Sequence, residues 1–243
     1  MCFTVSVEKK AKEAIREYLQ SHAGVQMPLT FEEDHYLVSG FAHPRLPVIR
    51  QGAITLSEWG LIPSFAVEEQ TTELQNMTLN ARADTIYEKP SYKKSIVSQR
   101  CVLVVDGFFE WRHENGKKFP YYIYPSDETV FYIGCIYNSW VNKLTGEVRD
   151  TFSIITTDAN PLMSYIHNSK KRMPLILRHD DLAAWIDPAT KRSSMEQLMR
   201  PYPEEAMRAH AISSDAGNPR INRNRPEIKQ PTESGENKQQ SGK

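Results

Sequence analysis

Between residues 101 and 157 the chain carries four runs that read as β-strands: CVLVV at 101–105, YYIY at 121–124, TVFYIGCIY at 129–137 and TFSIITT at 151–157. β-Branched and aromatic side chains fill them, a composition suited to a pleated, half-buried surface. Asn115-Gly116 and Thr145-Gly146 fall between runs, and both dipeptides suit tight hairpin turns. A mainly antiparallel sheet is therefore the expected core of the fold.

The flanking segments add helices without an alternating βαβ rhythm. Ala11, Ala14, Ile15, Tyr18 and Leu19 recur at helical spacing, which predicts a helix over 8–21. LPVI and AITL, separated by Arg50-Gln51-Gly52, predict two strands within 36–62. The polar stretch EEQTTELQNMT at 68–78 reads as a surface loop, and 81–100 as a charged segment with short helices. Asn160 and Pro161 mark a helix start at 159–166, PLIL at 174–177 a short strand, and 180–186 and 190–200 two further helices. The pattern is that of a single α+β domain over residues 1–225. Residues 226–243 are almost without large apolar side chains and read as a disordered polar tail.

Composition excludes several classes. Thirty basic and thirty acidic residues cancel, so any nucleic-acid surface has to be local. Two such biases exist. One is residues 80–100; the other is NPRINRNR at 218–225, with three arginines and no acid. No run approaches the roughly 18 apolar residues of a membrane span, and the first twenty residues lack a signal-peptide h-region. The expectation is a monomeric cytoplasmic protein with no membrane partner. Three cysteines at 2, 101 and 135 form no CxxC pair, and the histidines show no metal spacing, so neither a metal nor another cofactor is expected. Cys101 and Cys135 lie in apolar runs and read as buried small hydrophobes.

Four strings carry chemistry. Cys2 follows the initiator Met1, and removal of Met1 leaves an α-amine and a thiol on one residue. The amine, with an ordinary pKa near 8, attacks an aldehyde to give a Schiff base, and the thiol can then close a thiazolidine ring. Asn80 and Arg82 in TLNARADT offer an orienting amide and a phosphate fork. Glu110 lies among aromatics in DGFFEW, where burial would raise its carboxyl towards neutrality. His167 precedes Lys170, Lys171 and Arg172, pairing a proton carrier with phosphate contacts. Each string also has a bland reading: a chance cysteine, a turn asparagine with a solvated arginine, an outward glutamate, a solvated helix end.

Taken in order, Met1-Cys2, WGLIP, LNAR, DGFFEW, YIH followed by RMPLIL, and DLAAWI resemble the SRAP family, named for SOS response-associated peptidase, over about residues 1–225. The resemblance implies a strongly curved, partly barrel-like β-structure flanked by short helices. It implies a sensor of abasic sites in single-stranded DNA that forms a thiazolidine cross-link through Cys2 and shields the lesion. Hydrolase, protease and lyase activities also attach to the family. By position, Cys2 is then the nucleophile, Asn80 orients the aldehyde, and Glu110 and His167 move protons. Arg82, Lys170, Lys171 and Arg172 contact phosphate, and Trp59 and Pro63 shape the DNA cleft. The chain departs from the family at Phe3-Thr4, where Gly-Arg is usual, and in LVSGFAHPRLPVI, where an Asn-x-Ala-Pro string is usual. Two rival classes are an N-terminal-nucleophile glutamine amidohydrolase and a non-covalent single-stranded DNA-binding module.

Overall fold

In the computed structural model residues 2–22 and 33–232 are described. The strands are β1 (Thr4–Val7), β2 (His35–Ser39), β3 (Arg45–Arg50), β4 (Ala53–Trp59), β5 (Asn80–Arg82), β6 (Arg100–Val105), β7 (Gly107–Glu114), β8 (Lys117–Pro125), β9 (Phe131–Val141), β10 (Val148–Asp158), β11 (Arg172–Pro174), β12 (Ile176–Leu177) and β13 (Met207–Ala211). The α-helices are α1 (Lys9–Ser21), α2 (Thr71–Met77), α3 (Ser95–Ser98), α4 (Pro161–Ile166), α5 (Leu182–Ile186) and α6 (Arg192–Leu198). The four β-rich runs of the sequence lie in β6, β8, β9 and β10. Asn115 (φ 50°) and Gly116 (φ 73°) make the positive-φ turn between β7 and β8.

Part of the larger sheet closes on itself. β4 pairs with β3, β3 with β6, β6 with β9 and β9 with β10, all antiparallel. A parallel contact between β10 and β4 completes the ring. Closure removes exposed edges, and the side chains fill the interior as in other small barrels. The second sheet is open, with strand order β13-β8-β7-β1-β2. β6 is buried along its whole length because α1 and α5 both pack against it. The fold is thus the expected α+β arrangement with a barrel at its centre.

Asp106, between β6 and β7, fixes the N-terminal part of the chain. Its carboxylate accepts from the backbone N–H groups of Glu8 (2.6 Å), Lys10 (3.2 Å) and Ala11 (3.3 Å). First-turn N–H groups have no partner inside a helix, so this distant carboxylate acts as the cap of α1. It also anchors the end of β1 to the start of β7.

Two expectations are corrected. Residues 68–78 are not a loop: Glu68–Gln70 form a 3-10 turn and α2 follows. The segment is held by polar contacts, which hydrophobic periodicity does not register. Gln75 donates to Glu58 (3.1 Å) and accepts from Arg149 (2.9 Å). Nor does a disordered tail start at 226. Pro226–Lys229 form a 3-10 turn, Ile228 is buried with Leu37, Phe109, Tyr122 and Ile212, and Pro231 bridges to Ile212. One apolar residue finding a pocket is enough to order the segment. The rest of the expected tail, 233–243, lies outside the described residues. Among the described residues no helix is long and apolar enough to cross a membrane.

Candidate active site

Strand pairing brings the N-terminus to the DGFFEW string. β1 lies between β2 and β7, with Val5 opposite Phe108 and Ser6 opposite Gly107. Continuing that antiparallel register brings Glu110 opposite Phe3, beside Cys2. Phe108 and Glu110 share one face of β7, and both are buried. The outward-facing alternative for Glu110 therefore does not hold. Cys2 is fully buried, its Sγ 3.8 Å from the carbonyl of Thr4.

Burial shapes the titration of each group. It pushes the Cys2 thiol well up, and the charge of Glu110 pushes it further, which places the two side chains within electrostatic reach. Burial likewise raises the Glu110 carboxyl, although the Trp111 N–H donates to its Oε1 at 3.3 Å. His167 moves the other way, down to about 4, through burial and the charges of Arg172 and Lys170. At neutral pH its ring is uncharged. Nδ1 lies 2.9 Å from the Arg172 carbonyl. The tautomer protonated at Nδ1 donates to that carbonyl, whereas the Arg172 N–H, 3.4 Å from Nδ1, is the partner of the other tautomer.

His167 sits at the C-terminus of α4. Asn160 starts that helix as expected, accepting from Met163 N at 2.8 Å, with Pro161 next. The helix end is stitched to β7. Asn168 accepts from His113 N (3.1 Å) and donates to His113 O (2.7 Å), and Arg112 donates to the Tyr165 carbonyl. These contacts hold His167 against the strand that bears Glu110. Both residues line one cleft of about 730 Å³ together with Phe3 and Thr4, the residues that follow Cys2. Lys170 lies on its rim.

Asn80 is placed on β5, alongside Ile154 of β10. Its backbone is fixed by the Tyr92 hydroxyl, which donates to Asn80 O at 3.2 Å, and by the Trp59 indole, which donates to Leu79 O at 2.9 Å. Its side-chain amide is buried with neither Oδ1 nor Nδ2 hydrogen-bonded. Leaving a buried amide unpaired costs about 1–3 kcal/mol. No hydrogen bond joins it to Cys2, Glu110 or His167 among the described residues.

The phosphate candidates divide. Arg82 is exposed and already forked onto Asp84. It lines a different cavity of about 320 Å³, shared with Arg172. Arg172 links the two places: its carbonyl orients His167 and its charge acts on Glu110, Arg82 and Asp84. Lys171 is exposed with φ 47°, and its carbonyl is taken up by Ala159 N. Trp59 and Pro63 do not form cleft surface. Trp59 is fully buried and stacks on Phe152 at 6.1 Å, and Pro63 is buried. Their apolar bulk made them better core than rim.

The cleft also recruits Phe41, Trp111, Lys118, Asn218 and Arg223. The arginine-rich string at 218–225 was a visible signal for Arg223. Phe41 and Lys118 had none, since neither lies in a periodic or charge-biased run. Among the described residues no group of three or more His, Cys, Asp or Glu side chains is arranged to hold a metal ion.

A sequence model described as SOS response associated peptidase (SRAP) matches residues 1–219. The abasic site processing protein YoqW of Bacillus subtilis (strain 168) is 34% identical over 206 residues, covering 79% of this chain and 89% of that one. The abasic site processing protein HMCES of Xenopus tropicalis is 32% identical over 183 residues, covering 68% of this chain and 53% of that one. A crystal structure of a protein from Bacteroides thetaiotaomicron superposes with a TM-score of 0.87 at 40% identity, covering 95% of this chain and 100% of that one.

Proposed function

The chain belongs to the SOS response associated peptidase (SRAP) family, and from that premise we propose that it processes abasic sites in single-stranded DNA by bonding to them through Cys2. The observation that carries this reading is that buried Cys2 lies within electrostatic reach of Glu110, whose burial-raised carboxyl lines one cleft with Phe3, Thr4 and a neutral histidine, His167. The two groups are shifted in opposite directions, the carboxyl towards its protonated form and the imidazole towards its neutral form, which suits acid and base roles in one reaction.

The chemistry starts with removal of Met1, because an amide nitrogen is not a nucleophile and the amine it becomes is. The abasic deoxyribose opens when its C1′ hydroxyl gives up a proton and the ring oxygen takes one, leaving an aldehyde at C1′. His167 Nε2 is the acceptor and the Glu110 carboxyl the donor. The Cys2 amine adds to C1′; its nitrogen returns a proton to the Glu110 carboxylate while the new alkoxide takes one from the His167 imidazolium. Glu110 then protonates the departing hydroxyl and takes the last nitrogen proton, so that water leaves and an imine forms. The thiol then adds across the C=N bond, sulfur to carbon and proton to nitrogen, and closes the thiazolidine. No imine persists to promote β-elimination, so the strand stays intact and the lesion is covered.

Asn80 supplies the amide that holds the sugar hydroxyls or the developing oxyanion. Lys170, Lys171 and Arg172 meet the phosphates, and Arg82 does so by exchanging Asp84 for a phosphate. The test is intact-mass analysis before and after incubation with an oligonucleotide bearing one abasic site. The expected result is a chain lacking Met1 that gains the mass of the oligonucleotide less one water. An unchanged rate of adduct formation in Cys2→Ala sinks the proposal.

A further inference from the structure

Phe41 is a large apolar side chain held on the cleft rim with 56% of its surface exposed. Its ring lies 5.0 Å from that of Phe3, tilted by 43°. The turn that carries it, Gly40–Ala42, is pinned on several sides. Gly40 N donates to Phe3 O at 2.8 Å, Phe41 N donates to Ser39 Oγ at 3.4 Å, and His43 N donates to Gly40 O at 2.9 Å. A Cβ on Gly40 would come within 2.9 Å of the Trp59 ring, so glycine is what lets the turn lie against the barrel. The backbone beneath Phe41 is therefore fixed in advance, and a planar ligand that stacks on its exposed ring, edged by the tilted ring of Phe3, requires little further ordering of the turn.

The surroundings narrow the ligand. Lys118, Lys170 and Arg223 line the same cleft, Trp111 adds a third aromatic, and Glu110 is the one carboxylate among the residues that line it. Aromatic faces beside unopposed cations match a single nucleic-acid strand, whose bases stack while its phosphates meet the charges. An abasic nucleotide has no base of its own to grip. Hold on the strand at the lesion has to come from its neighbours.

We infer that the Phe3–Phe41 pair is a stacking shelf for the nucleobase adjacent to the abasic position. This rests on the reading of the cleft as an abasic-site cleft, and the two can fail separately.

The experiment measures equilibrium binding by fluorescence anisotropy. The probes are single-stranded oligonucleotides containing a non-reactive tetrahydrofuran abasic analogue, flanked on either side by adenine, thymine or a second tetrahydrofuran. The wild type should prefer adenine over the base-less neighbour on one side by about tenfold, the scale of one base–aromatic stack. Phe41→Ala should bring that ratio to within about twofold, and Phe41→Trp should keep it. A merely structural role would weaken all probes alike and leave the ratio standing. A wild type without the ratio, a Phe41→Ala protein that keeps it, or a Phe41→Trp protein that loses it as fully as Phe41→Ala overturns the shelf. A natural abasic oligonucleotide run in parallel reports the covalent step. If no adduct forms while the ratio and its loss in Phe41→Ala hold, the Cys2 chemistry falls and the shelf stands.

Discussion

Arg100 is buried and Asn80 half-buried with its amide atoms out of water, and the two polar side chains are treated in opposite ways. The Arg100 guanidinium donates to the carbonyls of Ile96, Val97, Trp185 and Asp187. It closes the ends of α3 and α5, whose last carbonyls lack intrahelical partners. Asn80 has its backbone fixed from both sides and its amide left without a hydrogen bond. The first arrangement commits four hydrogen bonds to the fold; the second leaves the amide unpaired. Cys101 and Cys135 face each other across β6 and β9, whereas Cys2, equally buried, precedes Phe3 and Thr4, which line the cleft.

The largest effect should come from Glu110→Gln. It removes the raised carboxyl and should slow adduct formation by about 10²- to 10⁴-fold in single-turnover assays. The same change should stabilise the fold at neutral pH. A carboxyl whose folded pKa is raised contributes stability at low pH and loses it as pH rises through that value, so its loss is felt at pH 7. A thermal melt that falls in Glu110→Gln would break the assignment of Glu110 as a strained functional group.

Next in size is the pair Arg100→Met and Asn80→Ala. Arg100→Met strands buried carbonyls and should cost about 3 kcal/mol in urea unfolding. Asn80→Ala removes an amide that the fold does not use. The relieved desolvation should offset the lost packing, so stability should not fall by more than about 0.5 kcal/mol, while adduct formation falls by about 10²-fold. If Asn80→Ala instead unfolds the protein and leaves the chemistry alone, the contrast between the two residues is wrong.

The smallest effect is the acid limb of stability. His167 titrates at about 4 in the fold against 6.5 when free. Between those values the unfolded chain binds more protons, so stability should fall as pH drops from about 6.5 towards 4. His167→Gln should flatten that slope in melts taken across the range, and an unchanged slope would remove His167 as its source.

Much of the molecule is legible locally. The alternating apolar runs mark β6, β8, β9 and β10, Asn115-Gly116 marks the turn before β8, and Asn160-Pro161 marks the start of α4. The α2 segment was not legible, because its anchors are the polar partners Glu58 and Arg149 from distant strands. Trp59 was misread as cleft surface for a related reason: an aromatic residue looks the same in sequence whether it stacks on Phe152 or on a ligand.

For Cys2 the division is sharp. The sequence by itself determined that an amine and a thiol can meet on one residue, and it offered Asn80, Glu110 and His167 as candidates to serve them. Only the tertiary structure decided that β1 slots between β2 and β7, so that Glu110 comes beside Cys2 and both are drawn out of water. It also decided that Arg82 is held by Asp84, and that Phe41 meets Phe3 at the cleft. The physical reason is range. Propensity and turn chemistry act over a few residues, whereas strand register, burial and the fields that shift a carboxyl or an imidazole arise between residues a hundred apart in the chain.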